Sequence, residues 1–305
     1  MVGFLIRRLL ISIFVVAGVS MVVFLLTFLS GDPAVLMLPP EATTQQVAQF
    51  REAHGLNDPL AVQYARFGTN ALRGDFGTSL RHGRPTMGMV MERLPATLQL
   101  SVFAMVLALV IAVPLGVLAA THRGSMVDLL AVFAALFGQS IPNFWLGIML
   151  IYLVAVQMHL LPTSGGPGLN FVILPGVAIA ANLTAMFTRI VRSSMLEVLA
   201  EDYLRTARAK GLAEWVVLSR HALRNAVIPL VTLVGLQFGY ILGGAVVIET
   251  VFMWPGLGLL TVQAITNRDY PLVQAAVFVL AVSIVVINLA TDVVYSYLDP
   301  RVKVT

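Results

Sequence analysis

The sequence predicts an all-α integral membrane protein: six transmembrane helices, both termini on the cytoplasmic side, and an extracytoplasmic loop of about 65 residues between spans 1 and 2. Three observations carry that prediction. Of 305 residues, 58% are hydrophobic and only 11% charged, with a mean hydropathy of +0.90. A soluble domain carries about 25% charged and about 45–50% apolar residues, and a soluble fold with this composition would leave apolar patches in water that monomers avoid. Six charge-free segments meet or approach the roughly 20 residues needed to cross a hydrocarbon core about 30 Å thick: Leu9–Leu29, Ala96–Ala120, Leu129–Met158, Phe171–Thr188, Ala226–Ile248 and Pro271–Thr291. All 34 Asp, Glu, Lys and Arg residues lie outside them. Finally, the basic residues gather in alternate short loops.

The first region, residues 1–29, holds Arg7-Arg8 and the first span. Its apolar run is too long for a signal peptide, and no small-x-small cleavage site precedes Gly31-Asp32-Pro33, so it is expected to stay as a span. Residues 30–95 form the outer loop. Within it Glu41 to His54 reads as a short helix with Val47 and Phe50 on one side, ended by Gly55. Asn57-Asp58-Pro59 and Gly74-Asp75-Phe76-Gly77 mark turns. The loop is too small for a catalytic domain; it reads either as a folded cap or as a docking surface for an extracytoplasmic partner. Residues 96–305 form the core with spans 2–6. The third span contains Gly138-Gln139-Ser140-Ile141-Pro142, where a kink or break is expected because proline removes a backbone donor.

Orientation follows from the short loops. With the N-terminus inside, the cytoplasmic pieces hold Arg7, Arg8, Arg123, Arg192, Arg205, Arg208, Lys210, Arg220, Arg224, Arg301 and Lys303, whereas the short outer loops hold only Arg268. The large outer loop balances six arginines with six acids, and long segments translocate largely regardless of charge. In a membrane protein this excess of cations marks cytoplasmic loops and lipid, and no nucleic-acid partner is implied.

Much chemistry is missing. There is no cysteine, hence no disulfide or zinc-thiolate site. The only lysines are Lys210 and Lys303, and neither follows a glycine, so there is no Walker A loop. The five histidines lie in loops or at span ends, without an H-E-x-x-H motif. Intramembrane serines lack a histidine base. No ionisable residue lies within the six cores, which argues against a proton relay and leaves sodium coupling through hydroxyls and carbonyls open. Glu249 and Asp292, just beyond charge-free runs, read as interfacial anchors. The interior polar residues are neutral: Gln99, Gln139, Asn143, Asn182, Thr184, Gln237, Gln274 and Asn288. They either join helices by hydrogen bonds or line an aqueous path, for which Asn182, Gln237 and Tyr240 are the candidates. Gly235, Gly239 and Gly243 form a G-x-x-x-G-x-x-x-G line on one helix face, read as a helix-packing surface.

The longest cytoplasmic stretch is 192–225. Ser194-Met195-Leu196-Glu197 reads as a capping box, and Leu196, Leu199, Tyr203 and Ala207 recur on one helical face. Gly211 ends that helix, Leu212 to Leu223 offers a second amphipathic run, and Pro229 opens the next span. Leu212, Trp215 and Val216 among charges suggest a docking element; a solvated hairpin on the membrane surface is the alternative.

Here the sequence resembles a family. Asp202-Tyr203-Leu204-Arg205-Thr206-Ala207-Arg208-Ala209-Lys210-Gly211-Leu212 is similar to the cytoplasmic signature of ABC-importer permeases in the oligopeptide/dipeptide form, as is His221-Ala222-Leu223-Arg224-Asn225-Ala226-Val227-Ile228-Pro229. Gly31-Asp32-Pro33, Gly74-Asp75-Phe76-Gly77 and Glu249-Thr250-Val251-Phe252-Met253-Trp254-Pro255-Gly256-Leu257-Gly258 match in order and spacing. The chain departs from the general E-A-A-x-x-x-G pattern, with Arg205, Thr206 and Ala207 before Gly211 and Pro229 18 residues after that glycine, as the peptide branch does. The resemblance implies a type I importer permease fold in the bacterial plasma (inner) membrane and a non-enzymatic role beside a second homologous permease. It also implies two ATP-binding cassette subunits that hold ATP and magnesium, so that this chain needs no cofactor or metal. An extracytoplasmic solute-binding protein completes the set. By position, Thr206 to Glu214 becomes the coupling segment, within a loop of Arg205, Thr206, Ala207, Arg208, Ala209, Lys210, Gly211, Leu212, Ala213, Glu214 and Trp215. Di- and oligopeptides are the implied substrates, with glutathione or a nickel chelate as alternatives by the same mechanism. A secondary carrier would call for inverted repeats or buried ionisable groups, and a membrane enzyme for a nucleophile–base pair or metal ligands; neither is visible.

Overall fold

Inside a bilayer no water satisfies the backbone, so an apolar run closes its own hydrogen bonds and becomes helix. The computed structural model of the chain, which describes residues 2–29, 34–35, 38, 41–53, 55–166 and 168–298, shows this in every apolar run. The motif Gly31-Asp32-Pro33 and residues His54, Arg301 and Lys303 lie outside the described residues.

In chain order the helices are α1 (Val2–Leu29), α2 (Thr44–Ala53), α3 (Leu60–Leu72), α4 (Thr86–Thr121) and α5 (Met126–Ser140). Next comes α6 (Asn143–Leu150), which continues as a π-helical stretch, Ile151–Gln157. Then follow α7 (Leu169–Leu199), α8 (Asp202–Ala209), α9 (Glu214–Val216) with its π-helical extension Val217–Ala222, α10 (Leu223–Ala226), α11 (Ile228–Val251), α12 (Leu257–Thr266) and α13 (Tyr270–Leu298). The described residues contain no strand, only an isolated bridge between Thr78 and Pro85. Five helices are long and apolar enough to cross a membrane, and the α5–α6 pair makes a sixth if it counts as one span.

That pair is where the expected break falls. Between Ser140 and Asn143 the axis turns by 98°, so the third apolar run is a bent pair and not a rod. Other boundaries differ from expectation. α4 starts at Thr86, ahead of Ala96, and α7 runs past Thr188 to Leu199. A charge-free run marks only hydrocarbon depth, while the helix itself continues as long as its charged side chains reach water or a partner. The capping box at Ser194 is therefore a misreading: Ser194 is buried inside α7, and the helical face expected over Leu196–Ala207 is divided between α7 and α8.

Contacts divide the chain into two units, Thr97–Trp254 with Ile287–Thr305, and Val2–Ala96 with Pro255–Val286. In the first, α7 is the central element, with 61% of its most apolar window buried against 33% for α4 and α11. Small residues let α4 approach it: Ala104, Ala108 and Ala112 are fully buried. A Cβ on Gly116 would stand 2.6 Å from Val191 Cβ, and one on Gly176 2.3 Å from Phe103 Cδ1. Close backbone approach is the usual source of packing energy where lipid removes the hydrophobic contrast. Glu249 corrects another expectation. It is not an interfacial anchor but a fully buried carboxylate, and the Thr97 hydroxyl donates to its Oε1 at 2.6 Å.

In the second unit the turn at Gly74–Gly77 drops Phe76 into a core with Met89, Val90, Leu257, Leu272 and Leu280. Its ring continues a series of aromatic contacts from Phe24 through Phe67 to Phe76 and Phe278, with centroids 5.2–5.9 Å apart. The short segment after this turn is held by Asp269, which accepts from the Ser79 hydroxyl and, at 3.2 Å, from the Leu80 amide. Helix α2 starts with a reciprocal cap, the Thr43 amide donating to Gln46 Oε1 at 2.8 Å and the Gln46 amide to Thr43 Oγ1 at 3.3 Å. Val47 and Phe50 are the half-buried residues of its face.

Candidate functional site

Two features of the first unit bring polar or exposed side chains together. The first is the connection from α7 to α11. Helix α8 has Asp202 in its first turn and Arg208 in its last, both favourable toward the helix dipole, and it buries Leu204 and Ala207. The chain then reverses at Gly211, whose φ of +77° belongs to the left-handed region; glycine enters it without the Cβ clash that other residues suffer. Across this turn Arg208 grips Glu214 with two parallel bonds, Nη2 to Oε1 at 2.8 Å and Nε to Oε2 at 3.1 Å. The hydrogen bonds from Arg208, and then its charge, hold the Glu214 carboxyl below its ordinary value of 4.5.

Behind the turn the hairpin is tied to its own base. Asn225 Nδ2 donates to the Tyr203 hydroxyl at 2.8 Å, and that hydroxyl lies 3.4 Å from the His221 carbonyl. Val217, Ala222 and Ala226 are fully buried. The result is a braced element with an exposed tip running from Arg208 to Trp215. Leu212 is 40% and Trp215 71% exposed at that tip. Of the sequence-predicted coupling residues, Ala207 is buried, Arg208 and Glu214 form the clamp, and Arg205, Thr206, Ala209, Lys210 and Ala213 are exposed around it.

The second feature is a recess of about 90 Å³ between α6, α7 and α11. Asn143, Asn182, Gln237 and Tyr240 line it beside Ile179 and Ile241. Gln237 Nε2 lies 3.4 Å from the Met186 sulfur. The side chains of Asn143, Asn182 and Tyr240 bond to no other described residue, and Tyr240 is 73% exposed. All three expected path residues are thus together, and the break before α6 adds Asn143. No cluster of three or more His, Cys, Asp or Glu side chains suited to a metal occurs among the described residues.

Comparison with known proteins identifies the family. Residues 112–304 match the family described as binding-protein-dependent transport system inner membrane component, and residues 1–101 match the N-terminal family of the same systems. The chain belongs to this family. The inner-membrane component is 44% identical to a probable peptide ABC transporter permease, y4tP, of Sinorhizobium fredii, over 98% of this chain and 99% of that one. It is 43% identical to the glutathione transport system permease GsiC of Salmonella paratyphi A, over 99% of both. Its fold is similar to that of the MetNI methionine ABC transporter in an inward-facing conformation, with a TM-score of 0.57 at 19% identity, over 70% of this chain and 97% of that one. The chain is accordingly a multi-pass inner-membrane permease component.

In this permease component the glycine line is split. Gly235 and Gly239 are buried and Gly243 is exposed. A Cβ at Gly235 would fall 1.7 Å from Thr291 Cγ2, so α11 and α13 meet there. Sequence reasoning missed Asp128, which receives the Arg192 guanidinium in a fork of 2.5 and 2.8 Å and so joins the start of α5 to the end of α7. Asp128 follows a cap residue, since its amide lies 3.4 Å from Ser125 Oγ, and that Ser-x-x-Asp pattern was the available signal.

Proposed function

We propose that this permease component imports peptides across the inner membrane, driven by ATP that two cassette subunits hydrolyse with bound magnesium, beside a second homologous permease and below a solute-binding protein. The observation that carries the coupling role is the braced tip. Leu212 and Trp215 stand exposed on a turn fixed by Gly211 and by the Arg208–Glu214 fork, and an apolar pair exposed on a rigid element is suited to a partner's cleft. Closure of the ATPases would draw such a tip inward. Because the hairpin is packed through Leu204, Val217 and Ala226, the displacement passes to α7 and α11, a two-state element biased by nucleotide.

Asn182, Gln237 and Tyr240 then belong to the translocation path, while the Gly235–Gly239 face packs helices. The N-in, C-in orientation puts the hairpin on the ATP side. Peptide as substrate is supported by the similarity to y4tP and by the uncharged lining of the recess. Similarity to GsiC favours glutathione, itself a small peptide, as a second reading. The test is uptake by the purified complex in liposomes containing ATP, offered tripeptides and glutathione. Accumulation that needs ATP and binding protein supports the proposal. Uptake without either would replace it with a secondary carrier.

A further inference from the structure

We propose that the recess between α6, α7 and α11 is a recognition station for the peptide backbone, with Asn143, Asn182 and Gln237 as its reading groups; this rests on the import reading above. The recess stands in the apolar part of the chain, yet three carboxamides and a phenol converge on it. The recess is open, with Tyr240 73% exposed, so polar groups in it can bond to water or to a solute. Asn143, Asn182 and Tyr240 have no bonding partner among the described residues, and only Gln237 has one, a weakly accepting methionine sulfur. Their complement comes from outside the chain.

The chemistry of the lining narrows what that complement is. None of its members carries a formal charge, so neither a peptide's termini nor a charged side chain finds a counter-ion there. Each carboxamide offers two N–H donors and one carbonyl acceptor, which matches the one N–H and one C=O of a peptide unit. The recess is small, about 90 Å³, and open beside the exposed Tyr240, so a peptide unit lies against the carboxamides without the whole ligand being enclosed. A site built this way holds every peptide by the group all peptides share and is indifferent to side-chain charge.

The experiment uses the complete reconstituted complex with saturating binding protein, and compares turnover for trialanine, Ala-Lys-Ala and Ala-Glu-Ala. The wild type is expected to move all three at similar maximal rates. Asn182→Leu and Gln237→Leu should lower turnover of all three by about tenfold with assembly intact and ATPase stimulation retained, and Gln237→Asn should restore part of it. Asn182→Asp should favour Ala-Lys-Ala over Ala-Glu-Ala by about tenfold, a gain of selectivity that a merely structural residue would not give. Unchanged turnover in both leucine variants, or no charge selectivity in Asn182→Asp, would overturn the station while leaving peptide import standing. Failure of the wild type to take up any peptide would instead overturn the import reading.

Discussion

Replacing Gly211 tests the braced tip most finely. A Cβ at this position meets no atom within 4 Å, so neighbours contribute nothing and the whole penalty is backbone. At φ +77° a residue with a Cβ costs about 1–2 kcal/mol, which lowers the ratio of native to non-native turn about 5–30-fold. Asparagine enters this region most readily among residues with a Cβ, and a β-branched residue least. Transport by the reconstituted complex is therefore expected to fall in the order Asn, Ala, Val, with Gly211→Val separating ATP hydrolysis from uptake. Membrane insertion should not change, because the residue lies outside every span. The assay reads ATP hydrolysed per peptide accumulated. Wild-type coupling in Gly211→Val, or a worse result for Asn than for Val, would refute the reasoning.

Other outcomes follow from the same geometry. The Arg208 fork holds Glu214 charged, so its contribution to the turn is fully present above the ordinary carboxylate value of 4.5 and is lost as pH falls through the lowered value; amide exchange across 208–216 should show that loss, and Glu214→Gln should abolish the pH dependence. Asp128→Ala strands the Arg192 guanidinium, which is only 27% exposed, and should destabilise the detergent-solubilised chain by about 2–3 kcal/mol; the exchanged pair Asp128→Arg/Arg192→Asp should recover part of it in a thermal melt. Gly235→Val must displace Thr291 and should cost about 1–3 kcal/mol, relieved in Gly235→Ala by Thr291→Gly. Asp269→Ala removes the acceptor shared by Ser79 and Leu80, and should expose residues 78–85 to proteolysis with the spans still intact.

What the sequence made legible is what local chemistry determines. Gly138 through Pro142 announced the break before α6, Gly211 the reversal of the hairpin, and Pro229 the opening of α11, because each acts through its own backbone. What it hid is long-range. Arg192 read as the start of a cytoplasmic loop, yet it lies inside α7 and pairs with Asp128, 64 residues away. Glu249 looked interfacial, yet Thr97, 152 residues away, bonds to it in the interior. α12 passed unnoticed because ten residues after a Pro-Gly turn carry too few helical turns to declare a period. In the recess, Asn182, Gln237 and Tyr240 were visible as polar residues in apolar runs, but their meeting with Asn143 depends on the fold of α6 against α7 and α11.

The most direct test of the coupling assignment uses the absence of cysteine from the chain. A single cysteine at Leu212 or Trp215, in the assembled transporter in native membranes, is treated with a short thiol-to-amine cross-linker, and the products are identified by mass spectrometry. The account predicts a cross-link to an ATP-binding subunit whose yield changes when nucleotide is added, and none from a control cysteine at Leu80. Absence of that cross-link while the complex remains assembled and active would contradict it.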